Sequence, residues 1–355
     1  MEMIGLDLHK RESQLCIKGE DGTVTERRIV TSRERFTAVL GSRPRARILL
    51  EATTESEWVA QHLETLGHEV IVADPNYAPM YANRSRRTKT DKRDARTLLE
   101  ACETGAYRRA HRVSEARRHV RAELMVREAL VRTRTRYVTV AKTLVRRDGL
   151  RVPGSSSEVV AERIAALPLG DVLTGELTPL FSILGPLNDE IAAADERLTA
   201  VMHADPIVRL LATAPGVGAV TASAFVATVD DITRFRGAHD LEAYLGVVPG
   251  ERSSGEKRRL GRITKAGNTR VRWLLVEAGW RILRSKAPET AALRAWVLPI
   301  ATRRGKAIAV VALARRLAGI LFAMGRDGVA YDARQIRMRR PVVRQPVREV
   351  TQRAG

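Results

Sequence analysis

Four carboxylates stand where a metal-dependent phosphoryl-transfer site could be built. Asp7 lies in the middle of the short apolar run Met3–Leu8, read as the first strand, and Glu51 closes the run Arg47–Glu51. Asp91 and Asp94 stand three residues apart in Thr90-Asp91-Lys92-Arg93-Asp94-Ala95-Arg96, a spacing that puts both on one helix face. A charge within a strand is costly unless it has a partner or a task. Four converging carboxylates repel one another and raise their own pKa values. A divalent cation removes that penalty, with Mg²⁺ as the expected ion and Mn²⁺ as a substitute, since both accept hard oxygen ligands. Two such ions about 3.5–4 Å apart stabilise the attacking and leaving oxygens at phosphorus. Singly, each residue has a plainer reading: a strand-end solvation residue (Asp7), a helix-approach carboxylate (Glu51), or partners of Lys92 and Arg96 on a solvated face (Asp91, Asp94). Asp74, followed by Pro75, reads as a turn or cap residue.

A second kind of chemistry is offered by Ser253 and Ser254, at the centre of the basic, glycine-rich stretch from Tyr244 to Asn268. A serine hydroxyl held in line can attack phosphorus once its proton is removed. Arg252, Lys257, Arg258, Arg259, Arg262 and Lys265 could stabilise the charge that develops. Taken alone, the same stretch reads more readily as an ordinary Ser-Gly loop that grips phosphate without chemistry. Upstream, Pro215-Gly216-Val217-Gly218 separates two apolar helical runs and resembles a helix-hairpin-helix. In that motif residues such as Gly216 and Gly218 let backbone N–H groups approach a phosphate; the bland alternative is a tight structural turn. Around the two aspartates, Arg84, Arg86, Arg87, Lys89 and Arg93, with Lys92 and Arg96, form a basic stretch suited to a phosphate chain.

The elements that must position these residues follow from the hydrophobic pattern. Strands are predicted over Met3–Leu8, Ser13–Lys18 and Thr23–Val30, joined by short turns. A helix from the N-cap Ser32 to Leu40, a strand Arg47–Glu51, a helix Glu55–Leu66, a strand Glu69–Ala73 and a helix carrying Asp91 and Asp94 come next. This order resembles the ribonuclease H superfamily, to which RuvC-type nucleases belong, and it sets Glu51 on the strand beside Asp7. Ser114 to Arg147 contains no proline or glycine and reads as one or two long amphipathic helices. Residues 151–157 read as a loop, with helical pattern again at Glu158–Leu167 and Gly185–Met202. The fold class is therefore α/β plus α. The expected domains are a RuvC-like unit over 1–112, a helical coiled-coil spacer for dimerisation over 113–206, and a mainly helical domain over 207–328 holding the hairpin and the serines. A basic disordered tail is expected over 329–355.

Composition names the partner class. Lys and Arg number 61 against 41 Asp and Glu, a net charge of +20, which predicts a polyanionic partner without specifying a fold. A generically basic surface is the plain alternative. Aromatics make up only 4% of the chain, so binding single strands by base stacking is under-supplied and contacts to a duplex or structured RNA fit better. Cys16 and Cys102 have no metal-ligand spacing and read as core residues of a reducing compartment. No apolar run is expected to reach membrane-spanning length, and the chain opens on a strand rather than a signal peptide, giving a cytoplasmic, nucleoid-associated expectation with no membrane partner.

Gly-Leu-Asp7-Leu-His-Lys, Leu-Leu-Glu51-Ala-Thr, Thr-Asp91-Lys-Arg-Asp94-Ala, Pro-Gly-Val-Gly and the Gly-Val-Val-Pro…Ser-Ser-Gly…Ile-Thr-Lys-Ala-Gly-Asn stretch run in one order over roughly residues 1–325. Together they resemble the DEDD transposases of the insertion sequence 110 family. The resemblance implies that Asp7, Glu51, Asp91 and Asp94 are a Mg²⁺-binding tetrad. It also implies that a serine directly before glycine, Ser254 with Ser253 as the alternative, is a nucleophile that links covalently to cut DNA. It further implies a bridge RNA that pairs with donor and target DNA, and a homo-oligomer, dimer or tetramer, whose protomers share active sites. Two other readings stay open: a RuvC-like nuclease that hydrolyses junctions with water and Mg²⁺, and a non-catalytic nucleic-acid-binding protein.

Overall fold

The computed structural model describes residues 1–81, 91–251 and 260–335. Arg84, Arg86, Arg87, Lys89, Arg252, Ser253, Ser254, Lys257, Arg258 and Arg259, and all of the basic tail beyond residue 335, lie outside the described residues. The chain divides into two compact units, Met1–Val113 and Ser114–Gly355.

The first unit is a mixed α/β structure. Its strands are β1 (Met3–Leu8), β2 (Glu12–Lys18), β3 (Val24–Val30), β4 (Arg47–Glu51) and β5 (Glu69–Ala73), and its helices α1 (Arg33–Leu40), α2 (Ser56–Thr65) and α3 (Asp91–Thr104). The sheet order is β3-β2-β1-β4-β5. The three leading strands pair antiparallel through short turns, whereas β1–β4 and β4–β5 are parallel and joined through helices. Ser32 caps α1 by accepting from the Arg35 N–H at 3.3 Å, the bond expected of an N-cap serine.

Period-two alternation sends Ile4, Leu6 and Leu8 of β1, with Ile48, Leu50, Val70 and Val72, into a core with Phe36, Leu40, Val59 and Leu63 of α1 and α2. The other face carries Cys16, Leu49 and Ile71, which pack against Ala95, Leu98 and Leu99 of α3. Asp7 therefore projects from the α3 face, near the end of β1 rather than in its middle. Both cysteines are buried and free, and burial pushes the Cys102 thiol up to about 11, so each acts as an apolar core residue.

The second unit is almost wholly helical. Its long helices α4 (Glu115–Arg147) and α6 (Asp171–Ala204) are linked through the short α5 (Val160–Ala165). They run antiparallel, in a register fixed by Arg197 Nε to Glu123 at 2.9 Å, Arg134 to Asn188 at 3.1 Å and Arg147 to Glu176 at 2.7 Å. α6 begins well before the predicted Gly185, because Leu173, Leu177 and Leu184 bury against Val138, Ala141 and Val145. That packing carries the helix through Pro179 and Pro186, so tertiary burial outweighs local breaker signals.

There follow α7 (Pro206–Leu211), α8 (Ala219–Val229), α9 (Ala238–Tyr244), the hairpin β6 (Pro249–Glu251) and β7 (Leu260–Ile263), α10 (Thr269–Arg284), α11 (Ala291–Arg304) and α12 (Lys306–Asp327). Their shared core centres on α12, whose Leu313, Leu317 and Leu321 are fully buried. α12 corrects one expectation: its 22 residues are long and apolar enough to cross a membrane. The pair Arg315-Arg316 interrupts an otherwise apolar run, and half of that run is buried inside the unit, which is how the core helix of a globular protein also reads. The first residues past 328 pack as well, with the Tyr331 N–H donating to Thr213 Oγ1 at 3.1 Å.

Candidate functional site

The acidic site forms where β1 meets the start of α3. Asp7 is only 8% exposed, and its Oδ2 is buried without a hydrogen-bond partner among the described residues. His9 Nε2 lies 3.2 Å from that oxygen and 3.7 Å from Asp91 Oδ1. One ligand atom each from Asp7, His9 and Asp91 falls within 4.8 Å of the others. Burial pushes the Asp7 carboxyl up to about 6; His9 opposes this, and the like charges of Asp94, Glu51 and Asp91 add to it. Asp94 and Glu51 are thus electrically part of the site. Glu51 is held from the side by the Tyr81 hydroxyl, which donates to its Oε1 at 2.6 Å.

Backbone geometry explains the convergence. The parallel register Leu6↔Leu50 brings Asp7 and Glu51 to the same end of adjacent strands. Gly5 lets α3 lie directly on β1: a Cβ there would stand 2.1 Å from the Ala95 carbonyl oxygen and 2.4 Å from the Leu99 nitrogen. Ala95, Leu98, Leu99 and Cys102 form the buried stripe of α3. Asp91 and Asp94 sit one turn N-terminal on the edge of that stripe, where the helix dipole favours negative charge.

A desolvated carboxylate whose buried oxygen accepts no hydrogen bond among the described residues, facing a second carboxylate and an imidazole, fits a divalent cation. Oxygen donors suit Mg²⁺, and the imidazole nitrogen suits Mn²⁺ or another transition ion. When bound, such an ion would supply Lewis-acid stabilisation of a phosphoryl oxygen.

Part of the basic stretch is already neutralised. Arg96 pairs with Glu26 of β3 at 2.7 Å, and Lys92 lies 4.0 Å from the same carboxylate. Arg28 reaches Glu12 at 2.7 Å and Asp91 at 4.0 Å. Gln14, Glu26, Arg28, Asp91 and Lys92 line an open polar cleft beside the carboxylates.

In the second unit, the segment holding Ser253 and Ser254 connects β6 to β7, and its base is firmly built. Gly246 and Gly267, both with positive φ, pass so close to Ala266 and Tyr244 that a Cβ on either would meet backbone oxygen at about 2 Å. The buried Arg272 donates to the carbonyls of Leu245 at 3.0 Å and Ala266 at 2.8 Å. Lys265 takes a left-handed conformation, φ 57°, and its N–H bonds the Gly246 carbonyl at 3.1 Å. Arg262 is exposed on β7. Gly216, φ 74°, turns the chain between α7 and α8, and Gly218 is the residue before α8.

Of the residues singled out from sequence, Asp7 and Asp91 come within ligand distance of one another, with Asp94 and Glu51 near enough to act on the Asp7 charge. Arg93 lies on the first turn of α3. Gly216, Gly218, Arg262 and Lys265 belong to the second unit. Sequence reasoning passed over His9, Gln14, Tyr81 and Arg272. The first had a signal in Asp7-Leu8-His9, since residues two apart on extended chain share a face. The others depend on pairing across strands or between elements and left none.

Comparison with known proteins follows this layout. Residues 4–147 match a family model described as a transposase of the DEDD IS110 type. Residues 208–294 match a second, described as the transposase IS116/IS110/IS902 family. A "Probable family 20 transposase" of Pseudomonas aeruginosa is 29% identical over 331 residues, covering 91% of this chain and 96% of its own. The transposase for insertion sequence element IS1111A of Coxiella burnetii is 29% identical over 335 residues, 91% of this chain and 89% of its own. A Sinorhizobium fredii relative, y4qE, is 30% identical over 301 residues, 75% of this chain and 71% of its own.

Proposed function

This chain belongs to the IS110 family of DEDD transposases, and on that footing we propose that it is a DNA recombinase joining a divalent-metal carboxylate site to a serine nucleophile. The observation that carries the reading is Asp7: a buried carboxylate whose Oδ2 accepts no hydrogen bond among the described residues, with ligand atoms of His9 and Asp91 within 4.8 Å. Such a group is unfavourable in an apo fold and useful in a metal site.

In this reading the first unit is RNase H-like, and Asp7, Glu51, Asp91 and Asp94 would hold Mg²⁺, with Mn²⁺ as substitute. Tyr81 orients Glu51, and His9 would add an imidazole nitrogen to the ligands beside Asp7 and Asp91. Ser254, with Ser253 beside it, attacks a DNA phosphate: an Oγ–P bond forms, a P–O ester bond breaks, the serine proton leaves and the departing DNA oxygen takes one up. Arg252, Lys257, Arg258, Arg259, Arg262 and Lys265 supply positive charge around that phosphate. Arg84, Arg86, Arg87, Lys89 and Arg93 lead the strand toward the carboxylates. The Gly216–Gly218 turn serves as a helix-hairpin-helix contact.

The wider proposal is an enzyme guided by a bridge RNA, working as a homo-oligomer through the α4–α6 hairpin, in the cytoplasm at the nucleoid. The proposed parts are a RuvC-like domain over 1–112, a spacer over 113–206, a transposase domain over 207–328 and a disordered tail over 329–355. One observation favours a second reading, hydrolysis by water: the whole acidic cluster lies within Met1–Val113 and needs no serine to bind metal.

The direct test is strand cleavage and joining on element-end DNA, with the flanking RNA and Mg²⁺. Joined product that needs both the RNA and the divalent ion, and that vanishes in Asp7→Asn and Asp91→Asn, is the expected outcome. Cleavage without joining in every condition would overturn the recombinase reading in favour of hydrolysis.

A further inference from the structure

The second unit contains a cleft of about 370 Å³ between α4, α6, α8 and α10, within the size range of about 300–1,000 Å³ typical of small-ligand sites. Its wall includes Trp273, 55% exposed. Among this chain's tryptophans and phenylalanines, all within the described residues, Trp273 is the only exposed one; the rest are buried or half-buried. An indole left in solvent on an otherwise well-buried helix gains nothing for the fold, because apolar surface is stabilising only when removed from water. Val271, Leu274, Leu275 and Ala278 of α10 already supply its core face.

The cleft beside the ring is lined by three arginines, Arg127, Arg134 and Arg281, and by two carboxylates, Asp195 and Glu277. Arg127 is held by Asp195, and Arg134 by Asn188 at 3.1 Å and Glu158 at 2.8 Å; both are oriented on the cleft wall before any ligand arrives. Arg281, two turns along α10 from Trp273, lines the same cleft and forms no ion pair among the described residues. The Gly216–Gly218 turn and the first residues of α8 close the wall opposite. Gly216 approaches α10 so closely that a Cβ would lie 2.8 Å from the Ala278 carbonyl oxygen, which fixes the turn against the helix that carries the indole.

We propose that this cleft is a nucleotide subsite: an unstacked base of a single-stranded segment lies on Trp273, and its phosphate is met by Arg281 and the Gly216–Gly218 turn. The site rests on the nucleic-acid reading above and refines it. An aromatic face binds any base by stacking, while the arginines and backbone N–H groups hold the chain without reading sequence. The few aromatics in the composition argue against an extended stacking platform but leave room for one placed ring. A strand with one base splayed out could be DNA opened during strand exchange or a loop of structured RNA. The shared chemistry is an unpaired nucleotide.

The test uses the full-length protein and three fluorescein-labelled probes: short oligo(dT), short oligo(U) and a short DNA duplex, titrated by anisotropy at fixed salt. Trp273→Ala should weaken at least one single-strand probe roughly tenfold or more and leave the duplex within about twofold. Trp273→Phe, which keeps a stacking face, should restore most of the loss. The probe that falls further identifies the DNA or RNA source. Quenching of tryptophan emission on binding should shrink in Trp273→Phe, and Arg281→Ala supplies an independent variant should Trp273→Ala fail to fold. Unchanged single-strand affinity in Trp273→Ala would overturn the subsite, as would an equal fall for single strands and duplex. A wild-type protein that binds none of the probes would instead sink the nucleic-acid reading on which the subsite rests.

Discussion

At the residue scale the chemistry turns on Asp7. Its carboxyl is raised to about 6, chiefly by burial, so between about pH 4 and 6 the metal-free fold holds a proton that the unfolded chain releases, and ionising the group destabilises the fold. The effect of this group on stability is absent below the unfolded carboxyl range near 4. It grows as pH rises toward 6 and is complete above that. Asp7→Asn should therefore stabilise metal-free protein at pH 7, by on the order of 1–3 kcal/mol, while abolishing strand transfer. Thermal unfolding in EDTA at pH 4.5 and pH 7 measures this; a loss of Tm in Asp7→Asn at pH 7 would contradict it. Added Mg²⁺ should raise the Tm of the wild type and leave Asp7→Asn unmoved. His9 gives a second prediction. If its imidazole faces the ion, His9→Ala should weaken Mn²⁺ binding roughly tenfold while changing Mg²⁺ binding little. Calorimetric titration with the two ions checks this, and equal losses for both would mean that His9 orients Asp7 without touching metal.

At the element scale the site depends on close approaches that no side chain could tolerate. Gly5→Ala should push α3 off β1, cost about 1–3 kcal/mol and lower activity, since Asp91 and Asp94 ride on α3; circular dichroism melting and cleavage assays would show both effects together. Arg272→Leu should leave Mg²⁺-induced stabilisation intact but reduce strand joining, because Arg272 anchors the base of the β6–β7 hairpin within the second unit. Loss of metal binding in that variant would contradict the assignment.

Much of this level could be read from sequence. The apolar runs placed Asp7 on the first strand, though in its middle rather than near its end, and Glu51 at the end of the neighbouring strand, and the i, i+3 spacing placed Asp91 and Asp94 on one helix face. The alternation of β1 also separated the apolar residues from the acidic one. What escaped was the long run of α6 through Pro179 and Pro186, and the apolar length of α12. Proline marks only local cost, whereas the burial of Leu173, Leu177 and Leu184 comes from a partner helix far away in sequence. The role of Arg272 likewise depends on two carbonyls that only the folded chain brings near.

At the scale of the whole molecule the +20 charge predicts affinity dominated by phosphate contacts. Binding to duplex DNA should fall steeply with salt, by about 10³–10⁵ between 50 and 200 mM if six to ten phosphates are engaged; a flat salt response would contradict that. The proposed recombinase chemistry pairs a metal-binding carboxylate site with a serine nucleophile. The most direct measurement traps the covalent intermediate. Protein, element-end suicide DNA, the flanking RNA and Mg²⁺ are mixed and resolved on a denaturing gel beside Ser254→Ala, Ser253→Ala and Asp7→Ala. The expected result is a protein–DNA adduct that is lost in Ser254→Ala and in Asp7→Ala and retained in Ser253→Ala. Cleaved DNA with no adduct in any lane would contradict it and assign the attack to water.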